Sequence, residues 1–417
     1  MPFRVLLTGV ATASLMTSVA WGSDAQDGAV TGADEVRAIV AEMMADAERR
    51  SSLMQTGGKV SAGPGGFVIS SDDDAFRLRV GGYTQFRYLA NFRGDEGGTV
   101  DDFESGFTLQ RTRLLFSGRA HDSIDFLLLP FAGPNGTWSI IDAWARFELA
   151  DNWKLRVGQF KLPFWREWLI SERFNFAVER SELTAVYASI YSQGVQLEYQ
   201  DDALRVHAAF SDGIRAFNSD FTSPAESDYA FTARADLLLD GEWGMFADNT
   251  ALGETQQGVL LGFGAHYQGE TESLRGVEID REFQVTADLS YQNTDFSAMV
   301  AGVARWLDAA NAPTEESFGF LAQAGYFLTD KTEVIAQYEV LIPDADAIGD
   351  DPFNAVTVGV NHYFRGHALK LTADVIYFID DTDGTTIVGF GRDDATGLFP
   401  TAETGEFTIR LQLQFVF

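Results

Sequence analysis

From about residue 75 to the last residue, hydrophobic and polar positions alternate along the chain with a period of two. In residues 75–92, Phe76, Leu78 and Val80 fall on one face, whereas Arg77 and Arg79 fall on the other. Successive side chains of a β-strand point to opposite sides of the sheet. The pattern therefore predicts strands with one apolar, aromatic face and one polar, strongly basic face.

The same alternation recurs in sixteen segments, which are separated by short polar turns and longer loops in approximate alternation. Many segments are longer than the 5–6 residues typical of soluble strands, although a single one would also suit a β-sandwich. We expect strands at 75–92, 106–120, 123–131, 138–149, 152–160, 193–200, 203–211, 229–239, 257–269, 282–291, 295–306, 316–328, 331–342, 354–364, 368–379 and 405–417. The exception to the alternation is 240–256, a long connection on the side of the short turns.

This layout predicts an all-β fold, a 16-stranded antiparallel transmembrane β-barrel formed by residues 67–417. After residue 23 no apolar run approaches the length of a membrane-spanning helix. A chain that crosses a bilayer with strands must close into a barrel, because lipid offers no partner for an open sheet edge. The even strand number places both barrel ends on the short-turn side, which would face the periplasm.

The first 23 residues have the features of a signal peptide. Arg4 precedes an apolar stretch from Val5 to about Ala20, and small residues suitable for cleavage follow at 18–20 or 20–22. A membrane anchor is the alternative, but the stretch is short and contains Ser and Thr. The segment predicts export through the inner membrane.

Residues 24–66 are interpreted as a linker and a helical leader. The segment 33–56 lacks Gly and Pro, and Val36, Val40, Met43, Ala47, Arg50 and Met54 follow heptad spacing. A short coiled-coil stalk, a lone amphipathic helix and a disordered leader all remain compatible with this pattern. The Gly-rich residues 57–66 are expected to form a flexible break before the barrel.

The charge balance excludes some functions. The chain carries 30 Lys and Arg against 61 Asp and Glu, a formal net charge of −31, and no Cys. So acidic a chain is unsuited to non-specific nucleic-acid binding, and disulfides and thiolate metal sites are excluded. No cofactor motif or metal-ligand spacing is present. The five His residues, His121, His207, His266, His362 and His367, lie in no recognisable catalytic motif.

Several motifs in the second quarter of the chain resemble those of the phosphate-selective porins O and P. They are QRTRLLFSG (110–118), DAWARFEL (142–149), VGQFKLPF (157–164) and ERS (179–181), with GVNHYF (359–364) near the third-last strand. The resemblance covers most of the chain from residue 75. It implies a trimeric sixteen-stranded barrel whose third long loop, here 161–192, folds inward. The terminal Phe417 is similar to the signal read by outer-membrane assembly machinery.

Strand phase predicts which charged side chains face the lumen. Fourteen basic and nine acidic residues do so, and the first eight strands hold eleven of the basic and five of the acidic ones. The arginines expected to line the pore are Arg77, Arg79, Arg87, Arg111, Arg113, Arg146, Arg156, Arg205 and Arg234. We expect this wall to be positive even though Asp142, Glu148 and Asp236 also pair with some arginines.

The loop expected to form the constriction is balanced in charge. It holds Lys161, Arg166, Arg173 and Arg180 against four Glu residues. The outer loops 93–105, 342–353 and 380–404 are acidic, and could either bind divalent cations or form a solvated surface. The balance argues against tight phosphate specificity and favours a mild anion preference.

The sequence therefore predicts a porin of the cell outer membrane for passive diffusion of small hydrophilic solutes and ions. Phosphate and other small oxyanions are among the candidate solutes. Its expected partners are outer-membrane lipid and two further copies of the chain, without nucleic acid or cofactor. Two other classes remain as alternatives: a mainly structural envelope protein acting through the leader helix, and an outer-membrane barrel hydrolase.

Overall fold

The computed structural model describes residues 58–417 except 64, 95–101, 122, 189–190, 215, 273–277, 311–312, 345–351, 382–395, 400 and 402–403. The predicted signal peptide (1–23) and leader helix (33–56) lie outside the described residues, as do the central parts of the acidic outer loops. No helix in the described part of the chain is long and apolar enough to cross a membrane.

The described residues form nineteen strands in one antiparallel sheet. The strands are β1 (Gly58–Gly63), β2 (Gly66–Ser71), β3 (Arg77–Phe92), β4 (Phe103–Ala120), β5 (Ile124–Ala132), β6 (Trp138–Ala150), β7 (Trp153–Phe160), β8 (Ser192–Gln200), β9 (Leu204–Ser211), β10 (Ala230–Asp240), β11 (Gly258–Gln268), β12 (Thr271–Glu272), β13 (Glu278–Gln292), β14 (Phe296–Ala309), β15 (Glu315–Thr329), β16 (Thr332–Ile342), β17 (Phe353–Tyr363), β18 (Leu369–Phe378) and β19 (Phe407–Val416).

Sixteen of these strands, β3–β11 and β13–β19, close into a barrel, which confirms the predicted fold. Each pairs with the next in sequence, β11 pairs with β13, and β19 pairs with β3. Every predicted segment coincides with one barrel strand to within a few residues. Closure leaves no unpaired sheet edge in the bilayer.

The seam of the barrel is fixed by two reciprocal hydrogen bonds between Gly82 and Phe417. Each backbone N–H donates to the carbonyl oxygen of the other residue at 2.9 Å. A Cβ atom on Gly82 would lie 2.4 Å from the Arg113 carbonyl oxygen and 2.9 Å from the Phe417 ring. Only glycine fits at this point, so the last residue of the chain can pack against β3.

Side chains alternate between the two faces of the wall as the sequence pattern predicts. On β3, Phe86 is 45% exposed and faces outward, whereas its neighbours Gln85 and Arg87 are fully buried inside the barrel. Arg77 and Arg79 share the inner face with Gln85 and Arg87, because β3 keeps a regular register from 77 to 85. Leu78 and Val80 therefore face outward, on the same side of the wall as Phe86.

The prediction of a flexible break over residues 57–66 is wrong. Residues 58–63 and 66–71 form the hairpin β1–β2, and Phe67–Ser70 of β2 pair with the first four residues of β3. There β3 extends beyond the end of β19, so β2 occupies the free edge. Gly65 and Gly66 make the turn with positive φ angles of 91° and 117°. In the sequence these glycines are interpreted as part of a linker, but the positive φ angles of this turn require them.

Two connections between barrel strands are long and structured. Residues 161–191 link β7 to β8 and contain the helices Arg166–Leu169 and Glu182–Tyr187 and the 3-10 helix Glu172–Phe174. Residues 241–257 link β10 to β11 and contain the 3-10 helix Trp243–Ala247. We call them the inserted loop and the lower segment. The lower segment starts at the end of the barrel that carries the short turns, the short-turn end.

Candidate functional site

The inserted loop lies inside the barrel. Its backbone and side chains bind inner-face residues on strands all around the wall: Tyr83 on β3, Arg113 on β4, Arg234 on β10, Gln323 on β15, Glu339 on β16, Asn361 on β17 and Lys370 on β18. Only a segment within the lumen reaches all of these strands. The inward-folded third loop implied by the resemblance is therefore observed.

Apolar packing holds one side of the loop against β14–β18. Trp165, Leu183 and Tyr187 are fully buried and belong to one cluster with wall residues such as Met299 and Leu321. This is a hydrophobic core within the lumen, of the type that gives a stable position to a segment without its own sheet. The loop is thus fixed to the wall on this side.

On the opposite side, Glu172 of the loop gathers three cations. Arg113 on β4 donates to its carboxylate at 2.6 Å, Arg180 lies at 3.1 Å, and the Lys161 Nζ atom lies at 3.8 Å. The Tyr83 hydroxyl donates to the same carboxylate at 3.4 Å. Burial alone would raise the pKa of Glu172, but the charges of Arg113, Lys161 and Arg180 outweigh it and hold that pKa well below its usual range.

A second loop carboxylate, Glu179, gathers two further arginines of the wall. Arg87 on β3 lies 3.0 Å from its carboxylate, and Arg111 on β4 lies 2.8 Å from it. Despite the opposing effect of burial, Arg111 and Arg87 lower the pKa of Glu179 to about 2. Arg87 also donates to the Gln412 side chain on β19 and to the Val178 carbonyl of the loop.

These residues form what we call the cation cluster: Arg87, Arg111, Arg113, Lys161 and Arg180, with the carboxylates of Glu172 and Glu179. Five basic side chains thus share two carboxylates at the level where the loop narrows the lumen. Three predicted pore-lining arginines and two predicted loop residues come together here. The sequence did not indicate that the loop itself supplies their counter-charges.

Glu167, another acidic side chain of the loop, faces away from the cation cluster. Glu167 accepts hydrogen bonds from the hydroxyls of Ser181 and Thr184, the latter at 2.6 Å, and from Gln323 on β15 at 2.8 Å. Glu182 is fully buried. The loop is balanced in overall charge, as its sequence shows, but its charges are unevenly placed on its two sides.

Arg234 and Arg166 are structural anchors. Arg234 is 2% exposed, lies between Asp236 (2.7 Å) and Asp288 (2.8 Å), and donates to the Phe164 carbonyl of the inserted loop at 2.8 Å. Arg166 is also buried and donates to the Phe246 carbonyl of the lower segment. Arg234, predicted to line the pore, is thus buried under the loop in a strong ion-pair network.

The lower segment fills the short-turn end of the barrel beside β13–β17. Asn249 donates to Gln323 at 3.1 Å, and Thr250 donates to Glu333 at 2.9 Å. Asp248 lies 3.1 Å from the Nε2 atom of His367 in the β17–β18 turn. The sequence marked this connection as unusually long for its side of the barrel, but gave no sign that it turns inward.

The inner face of β3–β9 near the short-turn end is mostly accessible to solvent, although Glu198 there is buried, and we call this region the vestibule. Its charged residues are Arg77, Arg79, Arg119, Asp125, Arg146, Glu148, Lys154, Arg156, Glu198 and Arg205. Arg146 pairs with Asp125 and Arg156 pairs with Glu198, each at 2.7 Å. The vestibule thus contains five of the predicted pore-lining arginines: Arg77, Arg79, Arg146, Arg156 and Arg205.

Arg173, the remaining predicted loop residue, also faces this region. It is partly exposed, and no carboxylate among the described residues lies within ion-pair distance of it. Its guanidinium stacks on the Phe174 ring at 4.6 Å. Unlike the five basic residues of the cation cluster, Arg173 thus has no ion-pair partner among the described residues.

Two histidines, His266 and His362, have structural hydrogen-bond partners. His266 lies between Thr232 (2.8 Å) and Gln268 (3.0 Å), and His362 binds Thr332 at 3.0 Å. Within the part of the chain that the structure describes, no group of three His, Asp or Glu residues is placed to hold a metal ion.

Comparison with known proteins links this architecture to a family. The sequence profile of the family "Phosphate-selective porin O and P" matches residues 80–415. A curated relative, an uncharacterized protein of Aquifex aeolicus (strain VF5), is 22% identical over 275 residues, which cover 58% of this chain. The chain spans 63% of the length of that curated relative.

Solved porin structures share the fold. The anion-selective porin from Comamonas acidovorans has a TM-score of 0.58 at 11% identity, over 82% of this chain and 99% of its own. The outer membrane channel DcaP of Acinetobacter baumannii has a TM-score of 0.55 at 11% identity, over 85% and 100%. OmpT of Vibrio cholerae, in its trimer form, has a TM-score of 0.53 at 14% identity, over 82% and 99%.

Proposed function

The chain belongs to the phosphate-selective porin O and P family, and from this premise we propose that it is an outer-membrane channel with a mild preference for anions. Small hydrophilic solutes and ions diffuse through it passively, and phosphate and other small oxyanions are among them. The observation that carries the anion preference is the cation cluster, in which five basic side chains share two carboxylates.

The position of the cluster gives its charge a large effect on permeation. It lies inside the barrel, where water is scarce and screening by salt is weak. The acidic outer loops oppose it, but charge on solvated loops is screened beyond a Debye length of about 8 Å at physiological salt. The excess positive charge at the narrow level therefore favours anions, although the chain as a whole is acidic.

The same geometry argues against a tight phosphate site. Glu172 and Glu179 already occupy the guanidinium groups of Arg113 and Arg111, with bonds of 2.6 and 2.8 Å. A permeating anion must compete with carboxylates that are held in place by the folded loop. Guanidinium groups bind phosphate and carboxylate oxygens with the same fork geometry. The internal carboxylates therefore weaken the binding of every external oxyanion alike.

The inserted loop and the lower segment also limit the size of the solute. Together they fill much of the lumen, and Trp165, Glu172 and Glu182 are almost completely buried within it. We infer a narrow path between the loop and the β3–β6 wall that leads into the vestibule. Such a path suits small ions and single small solutes.

The assembly state is proposed from the family. A homotrimer, with the leader helix as a contact between copies, is compatible with a barrel that carries many large apolar side chains on its outward face. Phe415 and Phe417, 54% and 44% exposed, are examples of outward side chains that lipid or another copy would cover.

Planar-bilayer recording on the purified full-length protein tests this function. We expect stepwise single-channel currents and, in a KCl gradient, a reversal potential that shows mild anion preference, strongest at low salt. Absence of conductance would instead favour a structural role in the envelope. A clear cation preference would show that the acidic loops outweigh the cation cluster.

A further inference from the structure

A cavity of about 230 Å³ lies between the inserted loop and the β3–β6 wall, at the top of the vestibule. Its lining combines charged and apolar residues in an unusual way. Asp142, Arg173 and Tyr191 contribute polar groups, and three leucines of β4 and β5, Leu115, Leu127 and Leu129, form an apolar wall. Leucines on the inner face of a barrel strand contradict the polar lining expected of a purely aqueous pore.

Two polar groups of this lining have no hydrogen-bond partner among the described residues. Asp142 is 9% exposed, and its carboxylate accepts no hydrogen bond there. The Tyr191 hydroxyl, in a residue that is 2% exposed, is also without a partner there. A buried polar group without a partner costs about 1–3 kcal/mol, and a charged one costs more. This cost applies to the Tyr191 hydroxyl, and the unpaired Asp142 carboxylate, which lines the cavity, favours a solute that can donate hydrogen bonds.

Lys161, the neighbouring lysine, forms neither a hydrogen bond nor an ion pair with Asp142 in the described part of the chain. The Nζ atom of Lys161 donates to the carbonyl oxygens of Trp168 at 2.7 Å and Ile170 at 3.3 Å, and its ion pair is with Glu172 at 3.8 Å. Arg113, which also lines the cavity, is committed to Glu172. Among the described residues that line the cavity, the charges left without an ion pair are the carboxylate of Asp142 and the guanidinium of Arg173.

We infer that this cavity is a binding site for a small zwitterion with an apolar body, such as an α-amino acid with an apolar side chain. The ammonium group would donate to Asp142, the carboxylate would bind Arg173, and the side chain would lie on the leucine wall. The inference rests on the proposed channel function and names a class of solute that the channel retains during passage.

The volume of the cavity agrees with this class of solute. An engineered apolar cavity of about 150 Å³ accommodates benzene. The additional space here suits a ring or branched chain together with an ammonium and a carboxylate group. An inorganic oxyanion would leave the leucines uncovered and would meet the negative charge of Asp142.

The contributions of the ammonium group, the carboxylate and the apolar body to binding can be separated with four solutes. Each is added to full-length channels in planar bilayers. L-phenylalanine carries all three features, 3-phenylpropanoate lacks the ammonium group, phenethylamine lacks the carboxylate, and glycine lacks the apolar body. We expect L-phenylalanine to produce concentration-dependent interruptions of the KCl current. Each of the other three should bind about tenfold or more weakly, because each loses a charge-assisted bond or the burial of an apolar group.

Two variants test which charged residue of the cavity binds which charged group of the solute. Asp142→Asn should weaken binding of L-phenylalanine about tenfold but leave that of 3-phenylpropanoate unchanged or stronger, since the latter has no ammonium group. Arg173→Gln should weaken L-phenylalanine and leave phenethylamine unchanged. Arg173 is partly exposed, so this variant tests the site even if Asp142→Asn fails to fold. Asp308→Asn, which alters an exposed ion pair with Arg281 outside the cavity, is the matched control.

The outcomes separate this inference from the function on which it rests. If the channel conducts KCl but L-phenylalanine causes no interruptions, or all four solutes act equally, the zwitterion site is wrong and the channel function stands. If no KCl current is seen, the channel function itself fails. The reciprocal pattern of the two variants supports the assignment, and identical effects on all solutes overturn it.

Discussion

Arg111 on β4 and Glu179 of the inserted loop are joined by an ion pair of 2.8 Å, although 68 residues separate them in the sequence. Arg87 on the neighbouring strand binds the same carboxylate at 3.0 Å. One loop side chain thus neutralises part of the basic wall and fixes the loop to it. Selectivity and the position of the constriction therefore depend on the same contact.

The first prediction concerns this carboxylate. Glu179→Gln removes one negative charge between two arginines but keeps an oxygen that can accept their hydrogen bonds. We expect the anion preference to rise about threefold, because one charge about 7 Å from the path contributes about 0.6 kcal/mol in water and more inside the barrel. The reversal potential in a KCl gradient measures this change.

Glu167→Gln is the matched control for that experiment. Glu167 lies on the same loop and is equally buried, but it binds Ser181, Thr184 and Gln323 on the side away from the cation cluster. Its replacement should change selectivity much less. Equal shifts in the two variants would mean that the overall charge of the loop, and not its placement, governs permeation.

The second prediction concerns the basic partners in the wall. Replacing Arg111 and Arg113 together with Ser should lower anion permeability, since two of the five cations of the cluster are lost. Asp344→Asn in an outer loop should have a smaller effect, because that side chain lies at the exposed long-loop end. A larger effect of Asp344→Asn would place the selectivity filter at the mouth of the channel.

The barrel could be predicted from the sequence because each strand carries its own signal. Alternation of apolar and polar residues depends only on neighbours two positions apart, and sixteen repeats of it define the wall. The hairpin β1–β2 was missed because Gly57–Gly66 has the composition of a linker. Its short alternation, with Val60, Phe67 and Ile69 on one face, was the signal that could have revealed it.

The site was less predictable, because its contacts depend on how the loop folds in the lumen. Strand phase places Arg87, Arg113 and Arg234 on the inner face, but it cannot tell which of them the loop covers. Arg234 proved to be an anchor, whereas Arg146 faces the vestibule. The leucines at 115, 127 and 129 share the inner phase of Arg113 and Asp125, and that phase was the signal for the apolar wall of the cavity.

The third prediction concerns stability. Arg234→Met leaves Asp236 and Asp288 unpaired in a buried site, and breaking a buried pair typically costs about 3–5 kcal/mol. We expect a lower temperature for the loss of the folded barrel in detergent, measured by circular dichroism and by gel mobility after heating. The double variant Arg234→Met/Asp288→Asn should recover part of the loss, because it removes one uncompensated charge.

Arg281→Met tests whether the effect depends on burial. Arg281 pairs with Asp308 at 2.7 Å, but its side chain is 62% exposed. Exposed pairs contribute about 0–1 kcal/mol, so this variant should melt close to the wild type. A similar loss of stability in the two methionine variants would contradict the anchoring role of Arg234.

The fourth prediction separates assembly from folding. The sheet begins at Gly58 and the barrel closes between β3 and β19, so deletion of residues 33–56 should leave the barrel folded. If the leader joins copies of the chain, the deletion should weaken the proposed trimer in native mass measurements. A monomer with the leader intact would contradict the trimer proposal.

The last prediction concerns pH and rests on Lys161. Burial lowers the pKa of Lys161 to about 7, against the attraction of Glu172 and with the help of the repelling Arg180 and Arg113 charges. Asp142 also faces it and favours the charged form. Lys161 is therefore protonated below pH 7 and increasingly neutral above it. Since its charge belongs to the cation cluster, anion preference should be greater at pH 6 than at pH 8.

Reversal potentials at the two pH values measure the effect, and Lys161→Gln is the variant that should strongly reduce it. Glutamine can still donate to the Trp168 and Ile170 carbonyls that Lys161 binds, so the loop should keep its position. Glu172 and Glu179 stay ionised over this range because their pKa values lie far below it, and arginine does not titrate there. A pH dependence of undiminished size in Lys161→Gln would therefore assign the titration to another group, such as Asp142, which faces Lys161, and not to Lys161.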